Sequence, residues 1–153
     1  MPHYFAYGSN MCLEQMQNRC PGAQVLGVAH LKNHRLCFPQ VSPKRQNAGV
    51  ASIKADAGAV VEGVVYSIST EHLRQLDFYE DLGWLYDRHA LDVQRTVDGQ
   101  SCRCWTYQAR ADHALHFPPS MHYIDTILHA AASHGLTQAY QNMLRSFKDG
   151  GAA

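Results

Sequence analysis

Tyr4-Phe5-Ala6-Tyr7-Gly8-Ser9-Asn10-Met11 decides the fold. A short apolar and aromatic run that stops at Gly-Ser-Asn predicts a strand followed by a turn. Leu13, Met16 and Cys20 then recur at helical spacing, so Met11 to Arg19 predicts a helix of about two turns, ended by Pro21-Gly22. Further on, Ala23 to Ala29, His34 to Phe38, Val50 to Ile53 and Gly63 to Ile68 predict strands, with a polar, basic loop from Ser42 to Asn47. Thr70 is placed to cap a helix that has Glu71 in its first turn. Tyr86 to Val93 and Ser101 to Tyr107 predict a hairpin turning at Asp98-Gly99. After Pro118-Pro119 the pattern becomes helical. Met121, Ile124, Ile127, Leu128 and Ala131 form one stripe that Gly135 can end. Thr137 can cap a last helix carrying Tyr140, Met143, Leu144 and Phe147. About six strands before two C-terminal helices predict an α+β fold, and strands this short curl into a small barrel or bent sheet. Strands and helices do not alternate as βαβ units do, which argues against a dinucleotide-binding sheet.

The chain has 153 residues, 46% of them hydrophobic and 17% charged. That composition is globular rather than disordered. It predicts one domain over residues 1–148, with 149–153 as a frayed tail. Lys plus Arg equals 13 and Asp plus Glu equals 13. A chain with no basic excess is a poor match for a nucleic-acid binder. No apolar run approaches the roughly 20 residues of a membrane helix, and no secretory signal opens the chain. The five cysteines are odd in number and irregular in spacing. Reduced thiols and a cytoplasmic location are the corresponding expectation.

Two features rise above this background. A strand that runs through Gly8-Ser9-Asn10 into a helix gathers several backbone N–H groups at one point. Such a nest holds an anion, either a substrate carboxylate or an oxygen gaining charge in a transition state. The same residues also suit an ordinary turn whose Ser or Asn caps the helix. The second feature is Glu80, one of only four glutamates. Leu73, Leu76 and Glu80 follow helical spacing, which places the carboxylate on a buried face. A carboxylate among leucines and aromatics resists ionisation, so its pKa rises toward the working range of a general base. A helix that stops near Tyr79 leaves Glu80 as a solvated cap instead.

Taken together, these stretches resemble the γ-glutamylcyclotransferase family. Tyr4 to Met11 resembles its signature loop, Gly49-Val50-Ala51-Ser52-Ile53 and Glu62-Gly63-Val64-Val65-Tyr66 its next strands, and Leu76-Asp77-Phe78-Tyr79-Glu80 the segment holding its catalytic glutamate. Pro118-Pro119-Ser120-Met121-His122-Tyr123 and His134-Gly135-Leu136 through Tyr140 resemble its C-terminal helices. The resemblance runs from Tyr4 to about Phe147. It implies a small mixed barrel with flanking helices, no metal and no cofactor. The reaction it implies is intramolecular: the α-amine of a γ-glutamyl group attacks its own side-chain amide carbonyl, yielding 5-oxoproline and a released amine or amino acid. Glu80 is then the catalytic residue. Tyr7, Gly8, Ser9, Asn10 and Met11 form the binding loop, and Tyr86 and Tyr123 line the pocket and donate to the substrate carboxylate. Where the family usually has Tyr this chain has Trp105, with Tyr107 as the alternative occupant of that place. The segment from Glu80 to Tyr86 is about two residues shorter than in vertebrate-type members. Glutathione-specific relatives carry Leu where this chain has Asn10, which argues against glutathione.

Weaker signals have structural readings. His113 with His116, or Cys102 with Cys104, are candidate ligand pairs, but no second pair stands at zinc-finger spacing. The loop Lys44-Arg45-Gln46-Asn47 reads as solvated or as a lid that contacts substrate. The partner expected is therefore a small γ-glutamyl compound, met by a monomer or homodimer, with no nucleic acid and no membrane. Two alternatives stay open: a non-catalytic binding protein of this fold, and a cyclotransferase that trims a γ-glutamyl protecting group from a biosynthetic intermediate.

Overall fold

The computed structural model describes residues 1–149, so most of the expected tail, residues 150–153, lies outside the described residues. Five strands form a closed barrel in the order β1-β3-β2-β4-β5, where β1 is His3–Ala6, β2 Gln24–Ser42, β3 Ala48–Ser67, β4 Tyr86–Arg95 and β5 Ser101–Ala109. The barrel is mixed because β1 runs antiparallel to β3 but parallel to β5, with Tyr4 opposite Trp105. Four α-helices flank it among the described residues: α1 Leu13–Arg19, α2 Thr70–Tyr79, α3 Met121–His134 and α4 Gln138–Ser146.

The strand count is lower than expected because four predicted strands are halves of two long ones. In β2, Asn33 adopts a left-handed backbone with φ of 61°. Opposite it, the register jumps from Lys32↔Val60 to His34↔Ala55, so residues 56–59 bulge out of β3. The Asn33 side chain accepts the Gly58 N–H at 3.0 Å and bridges the bulge. Such a bulge bends the strand without ending it. A sequence that carries turn-forming residues there looks like a break between strands.

Helix termini follow local chemistry, with one correction. Ser69, not Thr70, caps α2: its hydroxyl accepts the His72 N–H at 3.0 Å, and the His72 ring accepts the Ser69 N–H at 3.1 Å. This reciprocal pair is a capping box with His in place of Glu. Thr137 caps α4, accepting from the Tyr140 N–H at 3.2 Å, and Gly135 ends α3 at φ of 78°. The α3 stripe is also shifted. Tyr123, Ile124, Ile127, Ala130 and Ala131 are buried, whereas Met121 is 54% exposed.

The core fills the barrel and the seams beneath the helices. Phe5, Tyr66, Phe38, Met11, Met16, Ile53, Leu76, Ile124 and Leu144 are fully buried. Two polar devices fix helices to the barrel. The buried Glu62 carboxylate accepts from the Thr137 N–H at 2.9 Å and the Thr137 hydroxyl at 2.6 Å, which anchors the start of α4. The segment before α3 crosses β3 at Gly49, whose N–H donates to the Pro118 carbonyl at 2.9 Å, while the Phe117 N–H donates to Phe38 at 2.8 Å. That crossing aims α3, and with it Tyr123, at one end of the barrel.

Candidate active site

At that end a cleft opens to solvent between the first strand's exit loop, the β2–β3 connection and the end of α2. The chain leaves β1 at Tyr7 and winds through a single tight 3-10 turn, Ser9–Met11. Met11 N–H closes that turn on the Gly8 carbonyl at 3.1 Å. The N–H groups of Ser9 and Asn10 begin the turn and have no acceptor within it. A side chain on Gly8 would project between Ala51 and the Tyr123 hydroxyl, 3.5 and 3.6 Å from its Cβ, and occupy the cleft floor.

Asn10 is 3% exposed and pinned on both ends. Its Nδ2 donates to the Tyr4 hydroxyl at 2.9 Å and to Glu80 Oε1 at 3.4 Å. Its Oδ1 accepts from Gln15 Nε2 at 2.9 Å and Arg19 Nη1 at 3.0 Å. Its carbonyl accepts the Tyr66 hydroxyl at 2.7 Å. The turn is therefore rigid before any ligand arrives, which lowers the entropy cost of binding.

Glu80 is the C-cap of α2, donating its N–H to the Leu76 carbonyl at 2.8 Å. A cap position is compatible with a solvated carboxylate, yet this side chain faces the cleft and is 19% exposed. Burial pushes its pKa up, the Asp81 charge adds to that, and Arg19, Lys44 and Arg45 pull in the opposite direction without cancelling it. Arg19 Nη1 stands 3.9 Å from Glu80 Oε1, with its guanidinium over the Tyr79 ring at 4.8 Å. The site thus combines a proton acceptor of raised affinity with a ready cationic neighbour.

Tyrosines form the rest of the wall. Burial keeps the hydroxyls of Tyr4, Tyr7, Tyr86, Tyr107 and Tyr123 neutral by raising their pKa values. Most of their protons are already committed: Tyr7 donates to the Tyr107 carbonyl at 2.6 Å, Tyr86 to the Ala51 carbonyl at 2.7 Å, and Tyr107 to Asp77 Oδ1 at 2.7 Å. Tyr4 and Tyr123 differ. Their oxygens accept, from Asn10 Nδ2 at 2.9 Å and from the Ala51 N–H at 3.0 Å, and among the described residues neither hydroxyl proton has a protein acceptor. Of the two tyrosines expected to donate to a ligand, Tyr123 is the one with a proton to give.

Tyr7, Gly8, Ser9, Asn10, Glu80, Tyr86, Tyr107 and Tyr123 all line the cleft. Met11 and Trp105 do not. Met11 is fully buried, and its carbonyl binds the His134 ring at 2.7 Å. Trp105 precedes Tyr107 by two residues on the same face of β5, about 7 Å further along the strand. Its ring lies under the Arg88 guanidinium at 4.6 Å, and Arg88 pairs with Asp77 at 2.9 Å. Through that row Trp105 supports the last turn of α2. The histidine and cysteine pairs do not converge on a metal: among the described residues no three His, Cys, Asp or Glu side chains are grouped to hold one. His113 instead bonds Ser52 Oγ at 2.9 Å, and Cys102 lies 3.2 Å from His3 Nδ1.

Sequence reasoning missed Tyr4, Arg19, Tyr79 and Asp81 as cleft residues, while Lys44 and Arg45, which also line it, belong to the loop with the lid reading. Gln15 and Arg19, four apart on one face of α1, were a readable signal for the two groups that fix Asn10.

Comparison with known proteins agrees with this architecture. Residues 4–125 match the family described as gamma-glutamyl cyclotransferase, AIG2-like. The gamma-glutamylcyclotransferase of Bos taurus is 32% identical over 149 residues, covering 95% of this chain and 78% of its own, and that of Homo sapiens is 31% identical over the same spans. A solved structure described as gamma-glutamyl cyclotransferase superposes with a TM-score of 0.85 at 28% identity, covering 95% of this chain and 86% of the other.

Proposed function

The chain belongs to the gamma-glutamyl cyclotransferase family, and from that premise we propose that it converts γ-glutamyl compounds to 5-oxoproline with release of an amine or amino acid. The observation that carries the reading is a single one: a half-dry carboxylate, Glu80, bound at 3.4 Å to the side chain of a turn whose Ser9 and Asn10 N–H groups have no acceptor within it.

The chemistry has a definite proton requirement. An α-amine ordinarily titrates at about 7.7–8.0, so at neutral pH it is mostly ammonium and has no lone pair to attack with. Glu80 takes one proton and frees the amine. The amine then adds to the side-chain amide carbonyl, and the N–H groups of the Gly8–Asn10 loop meet the oxygen that becomes negative. As the old C–N bond breaks, the ring nitrogen loses a second proton. The departing nitrogen gains two in all and leaves as ammonium. Glu80 carries both in turn, so the carboxylate is regenerated and no nucleophilic side chain is consumed. Folding a flexible chain onto itself is the remaining barrier, and the pinned Asn10 and the tyrosine wall reduce it by fixing orientation.

The product identifies the reaction. Purified protein given γ-glutamyl-alanine and a series of γ-glutamyl amines should release 5-oxoproline and free amine in equal amounts. Free glutamate in place of 5-oxoproline would mean that water, not the α-amine, is the attacking group. No product from any compound would favour a binding protein.

A further inference from the structure

Three cations line the cleft, and they are not equivalent. Lys44 is paired with Asp81 at 3.2 Å and also donates to the Tyr79 carbonyl at 3.1 Å. Arg19 is committed to Asn10 and stands beside Glu80. Arg45 has no carboxylate within 4.0 Å among the described residues, and the groups it touches are neutral. Its Nη2 donates to Gln15 Oε1 at 3.1 Å and to Ser9 Oγ at 3.4 Å. Its guanidinium lies 4.9 Å from the centre of the ring of Tyr123, whose hydroxyl proton has no protein acceptor among the described residues. Arg45 is held there by a built turn. Ser42 caps the 3-10 turn Pro43–Arg45, and Gln46 and Asn47 follow in left-handed conformations at φ of 57° and 59°.

The Gly8–Asn10 turn therefore has the Glu80 carboxylate, with Arg19 beside it, at one end and a cation without a carboxylate partner at the other. Glu80 reaches it at Asn10, and Arg45 reaches it at Ser9. This charge pattern is complementary to a zwitterion whose ammonium and carboxylate sit on one carbon. The head of a γ-glutamyl group is such a zwitterion. If its ammonium faces Glu80, its α-carboxylate is one carbon away, on the side of Ser9 and Arg45.

We infer that Arg45 is a substrate-binding residue that receives the α-carboxylate of the γ-glutamyl head, with Tyr123 donating to the same group, and so selects for compounds that carry that carboxylate. The inference rests on the cyclotransferase reading of the cleft and assigns a role within it. A planar guanidinium suits this task, because it offers two parallel N–H groups to one carboxylate. The lid reading of the basic loop gains a specific content: Arg45 both covers the cleft and reads the ligand.

The test separates the two carboxylates a γ-glutamyl-amino acid can carry. γ-Glutamyl-ethylamide lacks the one on the departing group, and 4-aminobutanoyl-alanine lacks only the α-carboxylate and would close to 2-pyrrolidinone. Arg45→Ala should lower kcat/KM by about 10–100-fold on γ-glutamyl-alanine and equally on the ethylamide, the effect of losing a charge-assisted hydrogen bond. Arg45→Lys should recover part of it. On 4-aminobutanoyl-alanine, wild type and Arg45→Ala should be equally slow. In calorimetry the substitution should weaken 5-oxoproline by the same factor and leave 2-pyrrolidinone unchanged. A penalty that vanishes on the ethylamide would overturn the inference in favour of the departing carboxylate. An equal penalty on all three compounds, or on both lactams, would reduce Arg45 to a structural part of the turn. No penalty anywhere would make it solvated. If wild type converts none of the compounds, the cyclotransferase reading fails, and the two lactam titrations still decide separately what Arg45 binds.

Discussion

Replacing Glu80 by Gln is expected to slow 5-oxoproline formation by about 10²–10⁴-fold, the usual contribution of a positioned proton carrier. The amide keeps the size of the side chain and can stay within reach of Asn10, so the fold and the cleft should persist. What is lost is the capacity to accept a proton. The same substitution should make the protein more stable at neutral pH. Burial favours the neutral form of Glu80, so its pKa in the folded chain lies above its value in the unfolded chain. Between the two values the folded state holds a proton that the unfolded state has released, and stability falls as pH rises through that window. Above it, the native chain carries a partly buried charge that Gln does not. The stability gain of Glu80→Gln should be full above that window, shrink as pH falls through it, and be gone below the unfolded value, about 4.3 for a glutamate. Urea denaturation of both proteins at pH 7 and pH 4 measures this directly. A variant that is slower and also less stable at pH 7 would indicate a structural role for the carboxylate instead.

Gly49→Ala is expected to have the largest effect on stability. A methyl group there would stand 1.8 Å from the Phe117 carbonyl oxygen and 2.7 Å from its carbon. Both are backbone atoms of a crossing segment, so no rotamer change relieves the clash. The segment has to move, and the Gly49–Pro118 hydrogen bond has to lengthen or break. Overpacking costs about 1–3 kcal/mol, and a lost hydrogen bond adds about 1 kcal/mol. At roughly 2–4 °C per kcal/mol for a domain of this size, melting should drop by about 5–15 °C. Activity should fall as well, because the same crossing aims α3 and Tyr123 at the cleft. Thermal melting of the variant beside wild type checks the first part. An unchanged melting temperature would mean that the segment before α3 is free to shift, and that the crossing does not set the position of Tyr123.

Much of this was legible because the informative signals are local. The aromatic run that stops at Gly8-Ser9-Asn10 marks a strand and a turn by residue type alone. The spacing of Leu73, Leu76 and Glu80 carries the acid onto the inner side of α2 even though the helix itself ends at Tyr79. Other errors arise where tertiary context overrides a local signal. Asn33 and residues 56–59 look like the ends of strands, yet the barrel carries the ladder past them as one bulge. Thr70 and Ser69 are equally good caps by composition, and only the His72 ring decides between them. Trp105 shares a strand face with Tyr107 but sits one pleat repeat too far along β5 to reach the cleft. The cations were the hardest to see. Arg19 and Arg45 come from separate elements and meet only at Asn10, Ser9 and Gln15, so no spacing rule relates them.

If a partly dehydrated carboxylate at position 80 moves the protons, the pH dependence of kcat/KM for γ-glutamyl-alanine must show it. Only the ionised acid can accept a proton, so the rate must fall as pH drops through its pKa. The expected profile has an acid limb centred above the ordinary glutamate range of about 4.3, and that limb disappears from the residual activity of Glu80→Gln. An identical acid limb in both proteins would assign the titrating group elsewhere and contradict the role given to Glu80.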